Sequence, residues 1–237
     1  MATTEHQTLT TLSAVELAAM ITRGDISSAE AVEAHIECIE RVNPPLNAVV
    51  VKRYDAARAE ARQADEHRAR GEALGPLHGV PITIKESLDL VDTPSTFGLQ
   101  SRASILARQD DPYVARMRNA GAIILGKTNV SQLTFFIESD NPVYGRTNNP
   151  WNLDRSPGGS SGGQAAIIAA GGSPLTREGF LGSRLGTASR RGGPLWPPAA
   201  EGCVHLGKKP TRVRPCLGAG NPPKILCSLF ASAGGKL

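Results

Sequence analysis

Apolar positions recur first at the three-to-four-residue spacing of helices and then in short unbroken runs. Ser13-x-x-Glu16 forms a capping box ahead of VELAAMI, and Ser27-x-x-Glu30 forms a second ahead of AEAVEAHIECIERV. In the second segment Val32, Ile36 and Ile39 fall on one face, so that helix is expected to pack on a core. Pro44-Pro45 is expected to stop it, because proline has no N–H to return to the helix. LNAVVV (46–51) reads as a short strand, and RYDAARAEARQADEHRAR (53–70) as a charged, alanine-rich surface helix. GVPITIKES (79–87) is an apolar, β-branched run. Asp111-Pro112 pairs an N-cap with a first-turn proline and opens a helix to about Asn119. AIIL (122–125) is a buried strand, and GGSSGGQAAIIAAGG (158–172) is a glycine-rich turn feeding a helix. Helices alternating with apolar strands predict an α/β fold, with a mainly parallel or mixed sheet flanked by helices. No internal repeat is visible.

Length and charge narrow the picture. The 237 residues are 40% hydrophobic and 20% charged, enough for one large domain or two small ones around a sizeable core. No apolar run approaches the roughly 20 residues that cross a bilayer. The start, MATTEHQTLTTLSAVELAAM, lacks a basic stretch followed by an apolar one, so no leader is expected. Four cysteines without a CxxC pair make neither a disulfide framework nor a zinc site. The expectation is a cytoplasmic protein with no membrane partner.

The net charge of +4 conceals a division. Residues 1–175 hold 16 Lys and Arg against 20 Asp and Glu, whereas residues 176–237 hold 10 against 2. Cys203, Cys216, Cys227 and 18 of the 42 Gly and Pro also lie in that last stretch. One reading is a basic arm for nucleic acid. The stretch has no regular Lys/Arg spacing and little aromatic interleaving, so composition favours a loop-rich tail and no nucleic-acid partner.

Three motifs carry candidate chemistry. Gly121–Thr128 matches GxxxxGK[ST], the loop that cradles phosphates in nucleotide hydrolases. That loop needs free backbone N–H groups between a strand and a helix. Here the central positions are AIIL, whose N–H groups belong in a sheet. Gly121 as a helix-ending glycine, a core strand, and Gly126 in a turn is the better reading. The second motif, Pro157-Gly-Gly-Ser-Ser-Gly-Gly163, is too brief and too firmly flanked to be a linker. Its glycines allow a substrate or neighbouring chain to approach the backbone. A serine hydroxyl held there needs a base. The third is Lys85, around which Val80, Ile82 and Ile84 build an apolar strand. Desolvation lowers a lysine pKa, and a neutral amine is a competent general base. Lysine and loop serine together point to a Ser–Lys nucleophilic system.

PLHGVPITIKESLDL, DDPYVARMRNAGAIILGKTNVSQL, YGRTNNPWNLDRSPGGSSGGQAA and AAGGSPL closely resemble the amidase signature family. The resemblance runs almost unbroken from about residue 76 to 175. It divides the chain into an N-terminal helical region (1–75), a signature core (76–175) and a Gly/Pro/Arg-rich segment (176–237). What it implies is the first half of the amidase signature fold and a Ser–cisSer–Lys triad that hydrolyses a carboxamide C–N bond through an acyl-enzyme, without metal or organic cofactor. Lys85 would be the catalytic lysine, Ser160 the bridging serine and Ser161 its supporting neighbour. Ser189 is the matching nucleophile, with the backbone N–H groups of Leu185, Gly186 and Thr187 as the oxyanion hole. The partner would be a small-molecule amide; a homodimer is one candidate assembly, and the sequence does not fix the oligomeric state.

The sequence departs from the family after residue 175. Arg184 stands where the family has Asp, Ala188 is inserted, and the stretch leading to KKPT is about ten residues too long. A truncated or frame-disturbed amidase is therefore expected, hydrolysing simple amides slowly or not at all. The alternatives are a non-catalytic remnant or interaction module and, more distantly, an amidotransferase A-type subunit acting on acylated tRNA.

Overall fold

A computed structural model describes residues 8–174 of the chain. Both capping boxes form. Ser13 and Glu16 exchange side-chain-to-backbone hydrogen bonds at the start of α1 (Ala14–Arg23), and Gly24 ends it with φ 81°. Ser27 and Glu30 do the same for α2 (Ser28–Leu46). Each such cap contributes about 1 kcal/mol.

The prolines do not stop α2. Pro44 and Pro45 lie inside it, and it runs on to Leu46. The proline ring holds φ near the helical value, although it lacks an N–H and crowds the carbonyl four residues back. The chain closes the last turn elsewhere. Asn47, at φ 50°, donates its N–H to the Asn43 carbonyl at 2.8 Å. The Asn43 side chain then accepts from the N–H groups of Ala48 and Val49, both at 2.8 Å, and starts the next strand. That strand, β1 (Val49–Lys52), consequently begins three residues later than its apolar run suggests.

The remaining elements are α3 (Tyr54–Ala69), β2 (Pro81–Lys85), α4 (Pro112–Asn119), β3 (Ile123–Thr128) and α5 (Gly162–Ala169). Asp111 caps α4 by accepting from the Tyr113 N–H at 2.7 Å, and Gly121 turns the chain into β3 with φ 92°. The three strands form a mixed sheet in the order β1-β3-β2, with β2 parallel and β1 antiparallel to the central β3. The α/β architecture is the expected one.

Two apolar clusters cover the sheet. Leu17 and Ile21 of α1, Val114 and Met117 of α4, and Ile82, Ile84 and Ile124 of the strands make one. Val32, Ile36 and Ile39 of α2, Ala57 and Ala61 of α3, Ile167 of α5, and Ile123 and Leu125 make the other. Neighbouring residues of β3 thus serve opposite clusters, as strand pleating requires.

Gly126, expected in a turn, lies within β3. Ile82 pairs with Ile124 but Thr83 pairs with Gly126, so Leu125 is an extra residue on that edge of β3. Such a bulge reverses which face the following side chains take. A Cβ at residue 126 would run into the Val51 carbonyl oxygen of β1, so only glycine admits this pairing. The phosphate-loop match fails with it, because β3 is hydrogen-bonded along both edges.

Candidate functional site

On β2, Ile82 and Ile84 enter the first cluster. Alternation therefore turns Thr83 and Lys85 to the other face. The loop 157–163 meets them there. Lys85 is 3% exposed and donates from Nζ to Ser160 Oγ at 2.8 Å; Ser160 itself is 8% exposed. The expected pairing of these two side chains is present, and both are buried.

The glycines of the loop fit their surroundings closely. The Gly159–Ser160 peptide is cis. A Cβ at Gly159 would come within 2.9 Å of the backbone of Ile137 and Glu138. The Ser131 N–H donates to the Ser160 carbonyl at 3.3 Å, and the Ser139 N–H to the Gly158 carbonyl at 3.2 Å. Beyond the loop Gly163 donates to Asn129 O at 3.2 Å, and α5 carries the chain away. Ser161 is buried at the head of α5, and its hydroxyl has no hydrogen-bond partner among the described residues. Thr83 donates its N–H to Ser173 Oγ at 3.1 Å, which fixes the chain after α5 against β2. Ser189, Leu185, Gly186 and Thr187, with Arg184 and Ala188, lie outside the described residues.

A polar network on the other face of β2 and β3 escaped sequence reasoning. Ile84 pairs with Lys127, so the bulge delivers Lys127 to the face of the first cluster. It is fully buried and donates to the Pro94 carbonyl, to Ser95 Oγ at 2.8 Å and to Thr93 Oγ1 at 3.5 Å. Burial pushes its pKa down to about 8, against the opposing charges of Glu86 and Asp89. Glu86, also fully buried, accepts from the N–H groups of Thr96 at 2.5 Å and Phe97 at 3.1 Å, and from the Tyr144 hydroxyl at 3.2 Å. Burial, followed by the Glu86 charge, pushes Tyr144 up to about 12. The cue that marked Lys85, a lysine inside an apolar strand, applies equally to Lys127. Placing Gly126 in a turn concealed it.

Leu133, Phe135, Phe136 and Ile137 are exposed, and the Ile137 backbone lies against Gly159 of the serine loop. Among the described residues no group of His, Cys, Asp or Glu side chains is arranged to hold a metal ion. No described helix is long and apolar enough to cross a membrane.

Chemically, the arrangement is a buried amine on a hydroxyl, set in a loop whose backbone is held on both sides. It can move a proton between nitrogen and oxygen away from bulk water.

The sequence and the fold are both similar to those of known proteins. The Amidase family model matches residues 30–186. Fatty-acid amide hydrolase 2-B of Danio rerio is 47% identical over 189 residues, 77% of this chain and 35% of its own length. Indoleacetamide hydrolase of Bradyrhizobium diazoefficiens is 39% identical over 225 residues, 95% of this chain and 41% of its own. Among solved structures, a fatty acid amide hydrolase superposes with a TM-score of 0.70 at 31% identity, covering 73% of this chain and 30% of that one. A bacterial aryl acylamidase gives 0.67 at 37% identity, covering 69% and 34%. The chain thus spans about two fifths or less of the length of these relatives.

Proposed function

Because the chain belongs to the amidase signature family, we propose that it hydrolyses the C–N bond of a small-molecule carboxamide, with Lys85 and Ser160 as a proton relay to a nucleophilic Ser189. One observation carries this reading: the buried 2.8 Å contact from Lys85 Nζ to Ser160 Oγ. A serine hydroxyl is a poor nucleophile until a base removes its proton.

In this reading, neutral Lys85 takes a proton from Ser160 while Ser160 takes one from Ser189. Ser189 Oγ attacks the carbonyl carbon. The negative oxygen that forms is met by the backbone N–H groups of Leu185, Gly186 and Thr187. Ser160 then returns a proton to the nitrogen, the C–N bond breaks, and the amine or ammonia leaves. Water enters by the same relay, attacks the acyl ester on Ser189 and releases the acid. Ser161, buried next to the relay, is its supporting neighbour through packing alone, since its hydroxyl has no hydrogen-bond partner among the described residues.

The exposed apolar side chains of Leu133, Phe135, Phe136 and Ile137 support amides with an apolar acyl or aryl group. Arg184 and Ala188, in the segment that carries the nucleophile, make slow turnover the expectation, since a 1 Å misplacement costs about 10²-fold.

The test is the purified 237-residue chain with a long-chain fatty amide, an arylacetamide and an anilide, followed by release of ammonia or aniline. Slow hydrolysis is expected, absent in Lys85→Ala, Ser160→Ala and Ser189→Ala. Hydrolysis that persists in Lys85→Ala overturns the relay. Hydrolysis that persists in Ser189→Ala and disappears in Ser183→Ala moves the nucleophile. No hydrolysis of any amide by the parent chain makes it a non-catalytic member of the family.

A further inference from the structure

We propose that Ser139 is a positioning residue, a hydroxyl latch that holds the serine loop so that Ser160 faces Lys85. The idea rests on the relay reading above but is argued from different contacts. Ser139 is fully buried. Its Oγ accepts from the Gly162 N–H at 2.7 Å and donates to the Ser160 carbonyl at 3.4 Å. One hydroxyl therefore spans the loop from the carbonyl of Ser160 to the N–H two residues later. The Ser139 backbone grips the loop on the other side of Ser160, donating to the Gly158 carbonyl at 3.2 Å. Its own carbonyl is held by the Thr147 N–H at 2.8 Å, so the latch is anchored away from the loop.

Several features point to position rather than packing. The Ser160 side chain is bonded to Lys85 and its carbonyl to Ser131 N–H and Ser139 Oγ, so rotation of the Ser160 backbone must break the Ser139 contacts. The Gly162 N–H opens α5 and sits in the first turn, where no helical carbonyl is available to it. Without the Ser139 oxygen it is a buried donor with nothing to bond. The fit at Gly162 is equally close: a Cβ there would meet Ser139 Oγ at 2.5 Å and Ser139 Cβ at 2.9 Å. The hydroxyl can thus be removed at residue 139 or displaced from residue 162.

The test reads Lys85 directly. The parent chain, Ser139→Ala, Ser139→Thr and Gly162→Ala are treated with an amine-acetylating ester, and modification of each lysine is followed by peptide mass spectrometry. In the parent, Lys85 and Lys127 are both slow, being 3% and 0% exposed. Loss of the latch opens the loop locally, so Lys85 modification rises about 5-fold or more in Ser139→Ala and in Gly162→Ala, with Lys127 unchanged. Ser139→Thr, which keeps the hydroxyl, stays near the parent rate. If Lys85 does not respond in Ser139→Ala, or if Lys85 and Lys127 rise together, the latch is wrong and residue 139 only packs. Where amide hydrolysis is measurable, kcat falls by about 10- to 100-fold in Ser139→Ala with KM unchanged. An unchanged kcat there overturns the positioning role. A parent chain that hydrolyses no amide defeats the catalytic reading, and the labelling ratio still decides the latch.

Discussion

Lys85 and Lys127 occupy adjacent strands, one residue apart in register, and both are buried. Their surroundings differ in kind. Lys127 donates to a carbonyl and two hydroxyls of residues 93–95 and lies in the field of Glu86, which in turn ties down the N–H groups of residues 96 and 97. That ammonium binds a loop to the sheet. Lys85 meets a serine hydroxyl, a group that both gives and takes protons, in a loop presented by glycines. Burial alone does not make a lysine a base; the partner at its tip decides what the amine can do.

The comparison breaks most sharply by exchanging the damage. Lys85→Ala is expected to lower amide hydrolysis by at least ~10³-fold, as loss of one member of a relay does elsewhere. Its effect on thermal unfolding is expected to be the smaller of the two. Lys127→Ala should do the reverse, leaving the Pro94 carbonyl and Ser95 hydroxyl without their donor. A loss of about 2–4 kcal/mol follows, or roughly 5–15 °C in Tm by calorimetry. If Lys127→Ala melts with the parent and Lys85→Ala does not, the roles are interchanged.

Titration sharpens the contrast. Lys127 titrates near 8 in the folded chain against about 10.4 when unfolded, so between these values the unfolded state binds more protons and folding is favoured as pH rises. Stability is expected to climb by up to about 3 kcal/mol from pH 8 towards 10. Tyr54 and Tyr144, both pushed up to about 12 by burial, act in the opposite sense. They stay protonated when folded while the unfolded chain ionises, so stability falls again above pH 10. Urea unfolding across pH 7–11 should show the rise in the parent and none in Lys127→Met.

The smallest effect concerns Glu86. Glu86→Gln keeps the shape, removes the charge that favours protonated Lys127, and replaces one of the two oxygens that accept the Thr96 and Phe97 N–H groups. A cost of about 1–2 kcal/mol near neutral pH is expected, and the rise in stability should start below pH 8. A rise that starts where it does in the parent would show that Glu86 acts only through its hydrogen bonds.

Much of this was visible in the order of residues. Both capping boxes, the Asp111-Pro112 start of α4 and the apolar runs of β2 and β3 are local signals, set within four or five residues, and they survive folding because nothing distant opposes them. Lys85 was legible for the same reason, its apolar neighbours being next to it in the chain. The family resemblance supplied Ser160. What was read wrongly depended on contacts far apart in sequence. Pro44 and Pro45 continue a helix because Asn43 and Asn47 close its end, and Asn47 also bonds the carbonyls of Tyr144 and Arg146, nearly a hundred residues on. Gly126 is a strand residue because β1 comes within contact of it.

The amino-acid sequence by itself determined the elements, the apolar faces and the type of group available at the site, since each rests on spacing along one short segment. The tertiary structure alone decided which face each lysine takes and which hydroxyl meets it. A single extra residue at Leu125 reverses the side of the sheet for Lys127, and no local pattern records it. The Ser139 latch is likewise absent from any motif. It exists because residues 21 and 23 positions apart come within hydrogen-bond distance once the sheet has formed.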